Sequence, residues 1–443
     1  MRRLALLPLV LLAACGDTAK LPVTAGQGGN PELPVPAGST LPTMKIAKNI
    51  GWAKDAKPTP APGLVVNAFA DGLDHPRWLY RLPNGDILVA ETTSPPQPKD
   101  EEGVRGMAAK LIMSAAGAKG ASANRISLLR DSNGDGVADV RTKFITGLNA
   151  PIGMALVGND LYVAQTDQLT RFAYVPGATA ITTPGVKVAD LPGGLRNHHW
   201  TKNVVASADG STLFVSVGSN SNVAENGLDE EKDRAAILAI DAATGATRVF
   251  ATGLRNPVGM AWNPVTGALW TSVNERDELG SDLVPDYMTS VRDGGHYGWP
   301  WSYYGNHVDA RVQPARPDMV KKALKPDYAL GPHTASLGLA FAAADQALGP
   351  AFASGAFIGQ HGSWNRNPPS GYRVIFVPFD AAGKPQGLPV DVLTGFLNAK
   401  GEAQGRPVGV AFAGDGALLV ADDTGNKVWR VTSAAPAPAK TGV

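Results

Sequence analysis

Arg255 to Glu275 reads RNPVGMAWNPVTGALWTSVNE. A proline-marked turn leads into a short apolar strand, a second turn follows, and another apolar strand runs out into polar residues. The same phrase recurs at His75 to Thr92 (HPRWLYRLPNGDILVAET), Ala150 to Thr166 (APIGMALVGNDLYVAQT) and Asn197 to Ser219 (NHHWTKNVVASADGSTLFVSVGS). It recurs again at His333 to His361, with a longer segment between its strands, and at Arg406 to Asp423 (RPVGVAFAGDGALLVADD). Each copy is a β-hairpin signal, because Asn84-Gly85, Asp209-Gly210 and Asp415-Gly416 supply the positive backbone angles of tight hairpins. The copies stand roughly 55–80 residues apart, a spacing suited to four-stranded blades that carry insertions. A radial array of blades protects its sheet edges and leaves a central channel. The expectation is therefore an all-β chain folded as a six-bladed β-propeller of four-stranded antiparallel blades. A β-sandwich would not repeat one phrase so many times.

Outside the repeats the chain divides into 1–14, 15–45, 46–433 and 434–443. Met1-Arg2-Arg3, an apolar run from Leu4 to Leu12 broken only by Pro8, and Ala13-Ala14 form an export signal too short to span a bilayer. Leu12-Ala13-Ala14-Cys15 is a lipoprotein processing sequence, so Cys15, the single cysteine, is expected to carry the lipid and leave the domain without disulfides. Gly16 does not resemble an inner-membrane retention signal, which points to a periplasmic protein anchored at the outer membrane. Residues 15–45, rich in Pro, Gly and Thr, read as a flexible tether. Residues 46–433 read as the propeller, and 434–443 as a disordered tail. The segment from Pro95 to Ala123 breaks the repeat and reads as a loop insertion with one short helix, placed where long loops cover sites. Forty basic side chains against thirty-nine acidic ones, with no basic block, argue against nucleic acid as a partner. With 44% hydrophobic residues the chain has ample material for a core.

The strand ends nominate a site. Glu91-Thr92, Gln165-Thr166, Asn274-Glu275, Gln360-His361 and Asp422-Asp423 are expected to converge on the channel mouth, a concave place for a small ligand. His198 and His199 lie within Arg196-Asn197-His198-His199-Trp200-Thr201-Lys202-Asn203, polar crowding directly before a buried strand that is costly without a purpose. A neutral imidazole there suits acceptance of a hydroxyl proton. Arg255-Asn256-Pro257 opens the next repeat and sets a guanidinium beside that histidine. It suits an anionic ligand with planar carboxylates, or equally a tie between neighbouring blades. Separately, Asp131, Asn133, Asp135 and Asp139, with Val137 between, space oxygen ligands as calcium loops do, although Thr142 stands where a bidentate glutamate is expected. The alternative is an Asp/Asn turn that bonds its own backbone.

Gly253-Leu-Arg-Asn-Pro-Val-Gly-Met-Ala-Trp262, Asn274-Glu-Arg-Asp-Glu278, Tyr297-Gly-Trp-Pro300 and Gly405-Arg-Pro-Val-Gly409 follow the order of the glucose/sorbosone dehydrogenase family. Between Leu64 and Val431 the chain resembles that family, and most of all its sorbosone dehydrogenase branch. The resemblance implies pyrroloquinoline quinone (PQQ) on the top face of the ring, reduced by hydride from a small sugar and reoxidised by a periplasmic electron acceptor. It implies His199 as the base, with Arg255 and Asn256 at the quinone carbonyls. It also implies Ca2+ at the Glu275 to Glu278 loop, with Arg276 and Asp277 as candidates. Relatives carry two arginines one residue apart near the last blade, where this chain has only Arg406 before Pro407-Val408. A relative's lysine has Arg366 or Lys202 as its possible substitute here. Two other classes remain open to this fold: a calcium-dependent lactonase, and a propeller that binds glycan or protein without catalysis.

Overall fold

The computed structural model describes residues 16–37, 43–96 and 121–435. The signal segment, Cys15, most of the Pro95 to Ala123 insertion and the last eight residues lie outside them. Six antiparallel sheets form the expected ring. The first blade runs Pro76–Arg81, Ile87–Glu91, Arg125–Arg130, Val140–Ile145. The second is Met154–Val157, Asp160–Ala164, Gln168–Ala173, Val186–Asp190, and the third is Val204–Ala206, Thr212–Val217, Ala236–Asp241, Thr247–Thr252. The fourth is Pro257–Trp262, Leu269–Val273, Pro285–Ser290, Tyr328–Pro332, and the fifth is Ser336–Phe341, Gly355–Gln360, Arg373–Pro378, Val390–Thr394. The sixth joins Pro407–Phe412, Leu418–Asp422 and Lys427–Ser433 to Leu64–Ala70, a strand from the other end of the chain. That pairing closes the circle and removes the edge that an open array would expose.

Each repeat phrase is the inner hairpin of one blade. Its second strand, such as Ile87–Glu91, Leu269–Val273 or Leu418–Asp422, is buried along its whole length. Both faces meet a neighbouring blade, which explains an unbroken apolar run rather than alternation. The outer strands Val186–Asp190 and Thr247–Thr252 face solvent and carry polar residues. Asn84-Gly85, Asp209-Gly210 and Asp415-Gly416 do turn with the glycine at positive φ.

The glycine near the start of four inner strands, in Pro151-Ile-Gly153, Pro257-Val-Gly259, Ser336-Leu-Gly338 and Pro407-Val-Gly409, closes the ring tightly. A Cβ on Gly153 would lie 2.3 Å from the Val204 nitrogen, on Gly259 2.6 Å from the Leu337 oxygen, on Gly338 2.2 Å from the Val408 oxygen, and on Gly409 2.8 Å from the Arg77 oxygen. In each case the obstacle is the backbone of the next blade's inner strand or of the residues just before it. The missing side chain is thus what lets neighbouring backbones touch. Below the mouth, Trp78, Ile152, Trp200, Val258, Leu337 and Val408, one from each blade, belong to a single buried apolar cluster. The channel is plugged at that level, so a ligand is confined to the top face.

The tether reading does not hold for residues 16–37. Gln27–Gly28 pairs with Tyr328–Pro332 as a fifth strand of the fourth blade. The Asp17 carboxylate accepts from the Ser281 N–H at 2.8 Å, the Asp282 carboxylate accepts from the Lys20 N–H at 2.7 Å, and the Ala19 N–H donates to the Asn367 carbonyl at 2.7 Å. Polar and proline-rich composition suggested a loose chain, but a short edge strand and side-chain hydrogen bonds hold the segment against the ring. Pro317–Lys322 is the one α-helix among the described residues.

Candidate active site

The loop from the outer strand of the second blade climbs to the inner strand of the third, and carries His199 to the top face. Its Nδ1 donates to the Ser219 carbonyl at 2.8 Å, with the Ser219 hydroxyl at 3.0 Å. That donation fixes the tautomer and leaves the lone pair on Nε2, which has no hydrogen-bond partner among the described residues. Burial, then the charge of Arg255, pushes the His199 pKa well below its ordinary value, so the ring is neutral. Ser219 is held from the other side, its N–H donating to the Arg255 carbonyl at 2.7 Å. Gly218 makes room: a Cβ there would lie 2.4 Å from both the His199 Cβ and the Asn256 Oδ1. His198 points to solvent.

Arg255 takes the role of tie rather than ligand contact. Its Nε donates to the Asn222 carbonyl (3.2 Å), one terminal nitrogen to the Glu275 carbonyl (2.7 Å) and Asn274 (3.4 Å), the other to the Asn222 Oδ1 (2.9 Å) and Asp277 (3.4 Å). All its donors are consumed by protein, and only its field reaches His199. Three of the four motifs behind the family resemblance meet at this point, because the Trp299 indole also donates to the Asn222 carbonyl at 3.0 Å.

At the expected calcium loop the side chains are engaged with one another. Arg276 is fully buried, donating to Glu275 (2.9 Å), Asp309 (3.1 Å) and the carbonyls of Pro300 (2.8 Å) and Ser302 (2.6 Å). The Asp277 carboxylate is shared between Arg255 and His333, whose Nδ1 donates at 3.2 Å while its Nε2 donates to the Gly280 carbonyl at 2.9 Å. Burial alone would lower the His333 pKa, but the bond to Asp277 outweighs it and raises the value. The loop carbonyls of Glu275, Asp277 and Glu278 already accept from Arg255 or Arg311. Three guanidinium groups, of Arg255, Arg276 and Arg311, thus converge on this loop. The second loop also turns its carboxylates inward. Asp131 accepts from the Gly134 and Gly136 N–H groups, Asp135 from Val137 and Asn133, and Asp139 from Ser132, so Asp131, Asn133, Asp135, Val137 and Asp139 form backbone-bonded turns. Among the described residues no three His, Cys, Asp or Glu side chains gather as a metal site.

Two further expectations are redirected. Arg366 is buried away from the mouth, donating to the Pro368 (2.8 Å) and Leu21 (3.2 Å) carbonyls beside Asp282, so it fastens the N-terminal segment. Lys202 is fully buried beneath His199, with Nζ near the carbonyls of His199 (3.4 Å) and Trp200 (3.3 Å). Burial, then Arg234, pushes its pKa well down. Of the strand-end pairs, Glu91 and Asp422 are structural. Asp422, for example, accepts from Trp52 (2.6 Å), Trp429 (3.0 Å) and the N–H groups of Arg406 (2.7 Å) and Gly425 (2.8 Å).

His361 and Asp423 do reach the mouth, and with them Arg77, which the sequence did not nominate. Asp423 accepts from Arg77 (2.5 Å) and lies 3.0 Å from the His361 Nε2. Against its burial, the His361 and Arg77 charges hold the Asp423 carboxyl far below the usual range. Arg77 also lies over the Trp200 ring at 5.6 Å, next to His199. Arg406 stacks on Tyr372 at 5.0 Å. The buried Nε atoms of Arg77 and Arg406, the Asn256 Oδ1 and the Thr424 Oγ1 have no partner. Buried polar atoms without a partner call for an explanation, and a bound water or ligand is one. Two arginines with spare donors, an amide and a hydroxyl suit a flat polycarboxylate such as PQQ. Arg77 is thus a second arginine beside Arg406, and a faint signal existed: it adjoins Pro76 as Arg406 adjoins Pro407.

This ring and mouth define a six-bladed propeller with a polar, arginine-bearing top face. The fold is shared with the PQQ domain of pyranose dehydrogenase from Coprinopsis cinerea in its holo form (21% identity, TM-score 0.67, 88% of this chain and 100% of that one). It is shared too with a family AA12 carbohydrate-active enzyme of Trichoderma reesei, in a calcium structure (19%, 0.68, 85% and 97%). The TrAA12-like family model matches residues 111–289 and 316–434, and the chain belongs to that family. Among sequence relatives, the Coprinopsis cinerea PQQ-dependent pyranose dehydrogenase is 24% identical over 350 residues, which are 64% of this chain and 46% of that enzyme. The aldose sugar dehydrogenase YliI of Escherichia coli K12 is 31% identical over 99 residues, 22% of this chain and 25% of that one. The alignment thus spans less than half of the curated Coprinopsis enzyme.

Proposed function

We propose that this chain is a PQQ-dependent dehydrogenase of pyranoses or related aldoses, with His199 as general base. The observation that carries the proposal is the His199 ring, kept neutral by burial and the Arg255 charge and oriented by its bond to Ser219, with Nε2 unpartnered among the described residues and beside arginines that keep unspent donors. Arg77, Arg406 and Thr424 would hold the cofactor's carboxylates and Asn256 a neighbouring polar edge. Bound there, the quinone supplies a two-electron acceptor for hydride. His199 Nε2 takes the sugar hydroxyl proton, and the depressed pKa keeps that lone pair available at neutral pH. The Asp423 bridge keeps Arg77 and His361 in register across the mouth, and the apolar plug below excludes water from the floor. Sorbosone stands within this substrate class as a sugar aldehyde.

The test is to saturate the apo-protein with PQQ, with and without calcium, and follow dye reduction by a panel of pyranoses, aldoses and sorbosone. Saturable reduction is expected, and His199→Gln should lower kcat about a hundredfold or more while the quinone still binds. A quinone-loaded protein silent with every sugar, or a His199→Gln variant of near-normal turnover, overturns the assignment.

Export with acylation at Cys15, and a periplasmic carrier as the electron acceptor, complete the proposal. Its support is the Leu12-Ala13-Ala14-Cys15 sequence. No helix among the described residues is long and apolar enough to cross a membrane. Metabolic labelling with a fatty acid, lost in Cys15→Ala, is the expected result; unlabelled wild type refutes it.

A further inference from the structure

Beside His199, on the same top face, lies a second cleft of about 370 Å3. Its walls are Gly193, Leu195, Arg196, Asn220, Glu230 and Arg234. One wall is the segment that continues into His199. The other begins at Asn220, whose preceding residue holds the His199 Nδ1. Consecutive Cα atoms are about 3.8 Å apart, so the cleft begins one residue from the group that orients the His199 ring.

Its chemistry is selective. Asn220 is 1% exposed, and its N–H donates to the Glu231 carboxylate at 2.7 Å, yet its Oδ1 is buried with no partner. An unpaired amide oxygen asks for a hydrogen-bond donor, which a carboxylate or phosphate ligand cannot give. Arg234, 7% exposed, spends two terminal N–H groups on the Asn197 Oδ1 and the Gly193 carbonyl, keeping further donors. Glu230 is an exposed carboxylate acceptor, and Leu195, 85% exposed, sets an apolar surface at the rim. Donors, acceptors and an apolar platform together match a sugar ring, whose hydroxyls both donate and accept and whose C–H face is apolar.

We propose that this cleft binds the neighbouring glycosyl unit of an oligosaccharide whose terminal sugar is oxidised at His199. The inference rests on the dehydrogenase reading above and names the substrate as a disaccharide or longer chain. The truncation Asn220→Ala removes no internal side-chain hydrogen bond, and Glu230→Ala alters an exposed residue, so the pair guards against misfolding.

The test compares kcat/KM for glucose with that for maltose and cellobiose, using the full chain loaded with quinone. At least one disaccharide should exceed glucose by about tenfold, mainly through KM, and each substitution should bring that ratio near one. Calorimetric titration of the unloaded protein with the same disaccharides gives a readout independent of turnover: binding is expected in the wild type and weakened about tenfold in Asn220→Ala. Oxidation of glucose and disaccharides at equal efficiency, or disaccharide binding unchanged in both variants, overturns the subsite but leaves the dehydrogenase reading intact. Disaccharide binding that Asn220→Ala abolishes, in a protein that oxidises no sugar, supports the cleft and removes the reaction.

Discussion

Gly218→Ala places a methyl group where the structure has none to spare. The added Cβ would sit 2.4 Å from the His199 Cβ and 2.4 Å from the Asn256 Oδ1. Carbon atoms in comfortable contact stand about 3.5–4.0 Å apart, so the separation must grow by roughly 1 Å. Neither neighbour can retreat freely. Ser219, the next residue, holds the His199 ring by its carbonyl and hydroxyl and is itself bound to the Arg255 carbonyl. Overpacking of this kind costs about 1–3 kcal/mol of stability. A base displaced by about 1 Å loses about a hundredfold in rate. The expected result is a folded protein with kcat down about a hundredfold and quinone affinity reduced less. Gly158→Ala is the control. It forces a non-glycine residue to φ 57° with nothing within 4 Å of the new atom, so it strains the backbone without touching the site. Steady-state kinetics, spectral titration with PQQ and denaturant unfolding on both variants read the three quantities. If Gly218→Ala turns over within about threefold of wild type while unfolding at no lower denaturant than Gly158→Ala, the placement of His199 does not govern turnover and the reasoning fails.

Because burial and Arg255 hold His199 neutral well below pH 6.5, the acid limb of kcat/KM should lie below that pH; a limb centred at or above 6.5 counts against the assignment. His296 is lowered to about 4 by burial and then Lys322, so the unfolded chain takes up a proton near pH 6.5 that the folded chain refuses. Stability is therefore lost as pH falls, by about 2 kcal/mol between pH 7 and pH 5 from this group; urea unfolding at the two pH values should show that loss, reduced in His296→Asn. Arg406→Ala should weaken PQQ binding about tenfold to a hundredfold, the value of a charge-assisted bond to a carboxylate, and unchanged affinity would remove Arg406 from the cofactor site. Asp422→Asn leaves donors of Trp52, Trp429, Arg406 and Gly425 facing an amide that cannot accept from all four, and should cost about 3–5 kcal/mol in denaturant unfolding.

How much of the site was legible depended on where each group's partners lie along the chain. His199 announced itself through the polar crowding of residues 196–203 before a buried strand, whereas Asn256 was nominated only by the family resemblance. Arg255 was legible as a charge beside the histidine. Its use as a tie was not, since the choice between ligand contact and tie depended on Asn222 and on the 274–277 loop. Arg77 was missed because its meaning comes from Asp423, 346 residues away. For the calcium readings, spacing counts oxygens but not their competitors: in the folded chain Arg311 and Arg255 donate to carbonyls of one loop, and backbone N–H groups donate to the carboxylates of the other.

By itself the sequence determined the hairpins, their number and hence the ring, because strand period, turn glycine and apolar run are properties of some twenty consecutive residues. It also placed Gly153, Gly259, Gly338 and Gly409 near the starts of inner strands, where the folded ring uses their missing side chains. Only the tertiary structure decided that Leu64–Ala70 closes the sixth blade, that residues 16–37 brace the ring instead of trailing from it, and which guanidinium groups keep unspent donors at the mouth. Those outcomes depend on which distant segments exclude water from one another and compete for the same polar atoms, and that competition is resolved only once the chain is folded.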